Sequence, residues 1–136
     1  MALTRVLLAG MATGPALVLD EPLSMWGGLD PISGEIIDRR HPQSGSTVTG
    51  SILFLPWGRG SSSASSVLAE AIRRETAPLA IVMLESDDII LLGALAAEEL
   101  YAITCPIFIA DPELYDTITT GDHVTVGTDG DIQVTS

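Results

Sequence analysis

The sequence predicts an α/β domain, with a mixed sheet or barrel, helices packed outside it and a C-terminal hairpin. Three observations carry that expectation. Short, wholly apolar runs (SILFLP, LAIVML, PIFIA) alternate with stretches of helical spacing, the βαβαβ rhythm of buried parallel strands joined by crossover helices. The tail DHVTVGTDGDIQVTS instead alternates apolar and polar residues about a TDGD turn, the pattern of a hairpin. A chain of 136 residues is long enough for one domain with a real core, so residues 1–136 are expected to form a single unit.

Taken in order, residues 3–9 (LTRVLLA) and 15–19 (PALVL) are predicted strands around a Gly-containing turn. Residues 21–50 follow, dense in Gly, Pro, Asp and Ser. So long an irregular connection is usually functional, and Trp26, Ile36 and Ile37 are expected to anchor it as an ordered loop. SILFLP is a strand suited to the middle of a sheet. From Ser62 to about Arg74, Val67, Leu68, Ala71 and Ile72 keep helical spacing. After Pro78, LAIVML is a second buried strand. A second helix is predicted over residues 93–101 (GALAAEELY), entered through acidic Asp87 and Asp88, and PIFIA is the next strand.

Composition narrows the function. Eighteen acids face six arginines and no lysine, a net charge of −12, which argues against nucleic acid and anionic membrane surfaces as partners. No apolar run approaches the ~20 residues that span a bilayer. The start, MALTRVLLAGMATGPA, has one Arg and an apolar stretch broken by Gly10; it is expected as a first strand rather than a leader, which points to a cytoplasmic protein. The one cysteine, Cys105, lies in an apolar stretch and is expected as a buried small hydrophobe. One thiol cannot hold a zinc ion or an iron–sulfur cluster, which need about three or four ligands. No metal site is therefore expected in this chain.

Chemistry concentrates in WGRGSSSASS (57–66). A buried strand running through Gly-Arg-Gly into a serine-rich helix start puts free backbone N–H groups and the positive helix end at one place. Arg59, Gly60, Ser61, Ser62 and Ser63 together point to an anion-binding ligand site; any one of the serines alone would be no more than an N-cap. The stretch is neither a P-loop, lacking Lys-Ser/Thr, nor a G-x-S-x-G elbow. In DRRHP (38–42), Arg39, Arg40 and His41 either bind a carboxylate or phosphate or form a solvated basic turn. The acidic groups at 85–88 and 98–99 fit helix starts and solvated faces better than a metal site.

The blocks PLSMWGGLDPISGEIIDRRHP, LFLPWGRGSSSASSVLAEAI and APLAIVMLESDDIILLGALAAEELY, in that order, resemble the small swivel component of the aconitase X family from about residue 5 to the end. The resemblance implies a swivelling β/β/α domain of a two-component hydro-lyase, with an iron–sulfur cluster held by the partner large subunit and none by this chain. It implies a small carboxylate substrate. Two are prominent in the family: cis-3-hydroxy-L-proline, which the helix sequences favour, and mevalonate 5-phosphate. In aconitase-type swivels the first serine of a Gly-Ser-Ser sequence removes the proton α to a carboxylate, and here that position is Ser61. Aconitase follows this pair with a substrate-gripping arginine where this chain has Ser63, so that role does not carry over; Arg59 is an alternative. A non-catalytic swivel module that binds a ligand or partner is the competing expectation. Phosphohistidine transfer is disfavoured, because neither His41 nor His123 lies at the serine-rich helix start.

Overall fold

The computed structural model describes residues 2–59 and 63–135. Eight strand segments form one mixed sheet: β1 (Ala2–Leu3), β2 (Arg5–Leu8), β3 (Ala12–Val18), β4 (Ile52–Leu55), β5 (Ala80–Met83), β6 (Ile107–Ile109), β7 (His123–Val126) and β8 (Asp131–Thr135). Their order is β1-β8-β7-β3-β4-β5-β6-β2. The centre, β3-β4-β5-β6, is parallel, whereas β7, β8 and the two outer segments pair antiparallel.

The two outer segments, β1 and β2, are consecutive in the chain, separated by Thr4 alone. Thr4 itself is tied to the β7–β8 turn, its N–H and Oγ1 both donating to the Gly130 carbonyl at 2.9 and 2.8 Å. One N-terminal stretch thus pairs with both ends of the sheet and curls it toward a barrel, leaving little open edge. The sequence places a single strand at residues 3–9; the structure splits it, because the stretch changes partners at Thr4.

Curling explains why the central strands are apolar throughout. Leu53, Leu55, Ile81, Met83 and Ile107 face the helices, in a core shared with Leu68, Ala71, Ile72, Ile90, Ala94 and Ala97. The alternate residues, Ile52, Phe54, Ala80, Val82 and Phe108, face inward against Val124, Val126 and Ile132 of the hairpin. A strand covered on both faces has no solvent-facing position for a polar residue.

Helix α2 (Ser63–Arg73) crosses from β4 to β5, and α3 (Asp88–Tyr101) from β5 to β6. Helix α3 begins five residues before the stretch expected from the sequence, because Asp87 is its N-cap: Oδ1 accepts from the Ile89 and Ile90 N–H groups at 2.9 and 3.0 Å. A short helix, α4 (Pro112–Thr117), was not anticipated. Its signals are local, with Asp111 as N-cap, Pro112 in the first turn and Glu113 beside it, but six residues give too little periodicity to register.

The long connection over 21–50 is ordered, and of its three expected anchors Ile36 is buried while Trp26 and Ile37 are not. Leu23, Met25, Leu29, Ile36 and Val48 are buried, while Trp26 is 60% and Ile37 45% exposed. A turn at Met25–Gly28, α1, has Gly27 at φ 75°, a left-handed step that glycine takes readily, and Trp26 lies exposed between buried Met25 and Gly28.

Candidate active site

Because β3 to β6 run parallel, the connections that leave their carboxyl ends gather along one edge of the sheet. Ligands in open α/β sheets are bound at that edge. Here it collects Asp20–Met25 after β3, Trp57–Arg59 after β4, Glu85–Asp88 after β5 and Asp111 after β6.

The β4–α2 connection is held from two sides. On one, Gly58 forms a parallel bridge with Leu23, the Arg59 N–H donates to the Leu23 carbonyl at 3.2 Å, and the Arg59 guanidinium donates to the Pro22 carbonyl at 3.2 Å. On the other stands Asp87. A Cβ on residue 58 would lie 2.6 Å from Asp87 Oδ2 and 2.6 Å from Ile90 Cδ1, so any larger residue would have to push these two side-chain ends aside. One oxygen of Asp87 thus caps α3 while the other backs the glycine-rich turn. Leu23, Met25, Gly58, Arg59, Ala64 and Asp87 leave a void of about 10 Å³ behind the turn. That is room for one water at most, far below the roughly 300–1,000 Å³ that holds a small molecule. A ligand must meet this turn from its outer side.

Gly60, Ser61 and Ser62 lie outside the described residues. Ser63, the first residue of α2, is exposed, and Arg59 is exposed beside it. Arg59 and Ser63 therefore flank the start of an eleven-residue helix, where the positive end of the helix dipole lies.

The basic turn at 38–42 packs against the same edge. Gln43 accepts from the Asp20 N–H and donates to Asp20 Oδ2, and His41 Nε2 lies 3.0 Å from the Glu21 carbonyl. Glu21, Pro22 and Leu23 are thus bonded in succession to His41 and Arg59, which places both basic segments on either side of one short stretch. Arg39 and Arg40 are exposed, and the ion pairs of the described residues, both made by Glu70, involve neither them nor Arg59.

His41 has a different job from the anion or proton handling considered for it. It is 5% exposed, and Nδ1 accepts from the Gln43 N–H at 3.0 Å. A carbonyl can only accept and an amide N–H can only donate, so the ring is neutral with its proton on Nε2. Both nitrogens are committed to pinning the loop. His123 is exposed in β7, away from the α2 start.

Cys105 is 2% exposed, and burial pushes its thiol up to about 12. As the chain's one cysteine, it cannot supply the set of thiolates that holds an iron–sulfur cluster. Among the described residues no group of three or more His, Cys, Asp or Glu side chains is placed to hold a metal ion. No helix among them is long and apolar enough to cross a membrane.

Two features of this site were missing from the sequence-based expectation. The role of Asp87 behind Gly58 was half legible, since its capping pattern showed but not its neighbour. The signal available was topological: consecutive parallel strands bring residues 57–59 and 85–88 side by side. The clamp by Glu21–Leu23 had no local signal.

A family model described as the aconitase X swivel domain matches residues 2–135. The chain belongs to that family. Its swivel fold is matched over 98% of this chain and 97% of the other by a crystal structure of Thermococcus kodakaraensis aconitase X in the holo form, with a TM-score of 0.88 and 28% identity. Among curated relatives, a cis-3-hydroxy-L-proline dehydratase of Pseudomonas aeruginosa is 50% identical over 76% of this chain, which spans only 18% of that relative's length. A phosphomevalonate dehydratase small subunit of Methanothermobacter thermautotrophicus is 44% identical over 68% of this chain and 71% of its own. The swivel domain thus occurs both as a small part of a long chain and as a small subunit.

Proposed function

We propose that this chain is the small, swivelling component of a two-component dehydratase acting on a β-hydroxy carboxylate, with cis-3-hydroxy-L-proline as substrate. The observation that supports it is the β4–α2 connection, where Gly58 and Arg59 are braced by Asp87 and Leu23 and lead toward the start of α2 with Arg59 and Ser63 exposed. The substrate assignment follows the name of the relative at 50% identity.

In this proposal Ser61 takes the proton α to the substrate carboxylate. A hydroxyl is a weak base in water, so its oxyanion must be stabilised as it acts. The first-turn N–H groups of α2 supply donors, and Arg59 supplies a positive charge next to them. The electron pair left on the α-carbon forms the double bond as the β-hydroxyl departs. Help for that departure is outside this chain's means; it belongs to the large component, where the resemblance puts the iron–sulfur cluster. Arg39 and Arg40 remain to meet a distal carboxylate or phosphate.

A second reading, dehydration of mevalonate 5-phosphate, is favoured by the small-subunit relative at 44% identity and by the exposed Arg39–Arg40 pair. The test is to purify the chain with its large component and assay both substrates with wild type and Ser61→Ala. General-base loss predicts a fall in turnover of at least about a hundredfold with the complex intact. Near-normal turnover of Ser61→Ala would overturn the serine's role. Turnover of the phosphate alone would move the substrate assignment.

A further inference from the structure

Helix α3 is apolar on more sides than its neighbours cover. Ile90, Gly93, Ala94 and Ala97 face the core. On the opposite side Leu92 is 54%, Leu95 42% and Leu100 68% exposed, with Tyr101 at 39%. A helix apolar all round is normally enclosed. Together with Ser66 and Ala69 of α2, Leu92, Ala96, Leu100 and Tyr101 line an open groove of about 420 Å³.

Charge indicates what covers it. The groove's one acid, Glu70, is already paired with Arg73 and Arg74 at 2.7 and 2.8 Å, so it is the acids on α3 that are left to meet a partner's charge. Exposed Asp88 and Glu99 lie on the same helix as the leucines. A second copy would bring two chains of −12 together, which like-charge repulsion opposes. An apolar surface rimmed by Lys and Arg fits both the leucines and the acids. Ser66 is one turn past Ser63, and Leu92 one turn past the start of α3, so the groove opens at the edge that carries the candidate site.

We infer that the α2–α3 groove is the docking surface for the large catalytic component, which seats on it an apolar patch with a basic rim. This rests on the two-component reading above. The test is the affinity of the purified chain for its large component, by titration calorimetry, with Leu92→Asp/Leu100→Asp, Leu100→Asp alone, and Met11→Asp as an equally exposed change elsewhere. Leu100→Asp should raise Kd at least about tenfold and the double change further, while Met11→Asp leaves it unchanged. All three sites are exposed, and circular dichroism checks that each variant is folded. Wild-type binding with unchanged Kd in both groove variants overturns the docking surface and leaves the two-component reading standing. No wild-type binding overturns both. A homodimer of the isolated chain, dissociated by Leu100→Asp in sedimentation, assigns the groove to a second copy and overturns the inference.

Discussion

Gly93→Ala tests how closely the two crossover helices meet, and the structure sets two effects against each other. Alanine is the better helix former by about 1 kcal/mol, so on propensity alone the change stabilises α3. A Cβ at position 93, however, would stand 2.7 Å from the Ser65 carbonyl oxygen and 3.2 Å from Ser65 Cα, where ordinary contact begins near 3.4 Å. Both atoms are α2 backbone, so no side chain can rotate aside and the helices must part by about 0.7 Å. Overpacking of this kind costs about 1–3 kcal/mol, and a rigid backbone neighbour puts it at the upper end. The net expectation is a loss of about 1–2 kcal/mol, or a fall in Tm of about 3–7 °C for a domain of this size. Thermal unfolding followed by circular dichroism measures it. The shift should also disturb catalysis in the assembled enzyme, because Ser65 lies in the first turn of α2 beside the candidate turn. A variant melting at or above wild type would refute the close-approach argument, since propensity would then outweigh the clash.

Cys105 should resist a thiol reagent at pH 8 in the folded chain and react stoichiometrically once denatured, because burial holds its thiol up at about 12; rapid labelling of the native protein would contradict that placement. Glu70 is held down to about 2 from 4.5 by its hydrogen bonds with Arg73 and then Arg74. Since its folded value lies below its unfolded one, its contribution to α2 is complete above pH 4.5 and is lost as pH falls toward 2. Carboxyl titration by NMR reads this directly, and Glu70→Gln should flatten the acid limb of stability.

By itself the sequence determined what is local or periodic. Apolar runs too short for helices marked β4, β5 and β6. Helical spacing from Val67 to Ile72 marked α2, and strict alternation around Gly130 marked the hairpin. Order along the chain, with a glycine-and-serine turn between a buried strand and a helix, located the candidate site, and the ordered blocks identified the family before any coordinates. Tertiary structure decided which distant segments meet. Trp26 looked like an anchor because it is large and apolar, yet it is left exposed in the turn that Gly27 makes, while His41 goes in because Glu21 and Gln43 offer its two nitrogens partners. The split of the N-terminal strand between β8 and β6, and the bracing of Gly58 by Asp87, likewise depend on pairings far apart in the chain. Such pairings are set by how the whole sheet curls, and no window of sequence contains that curvature.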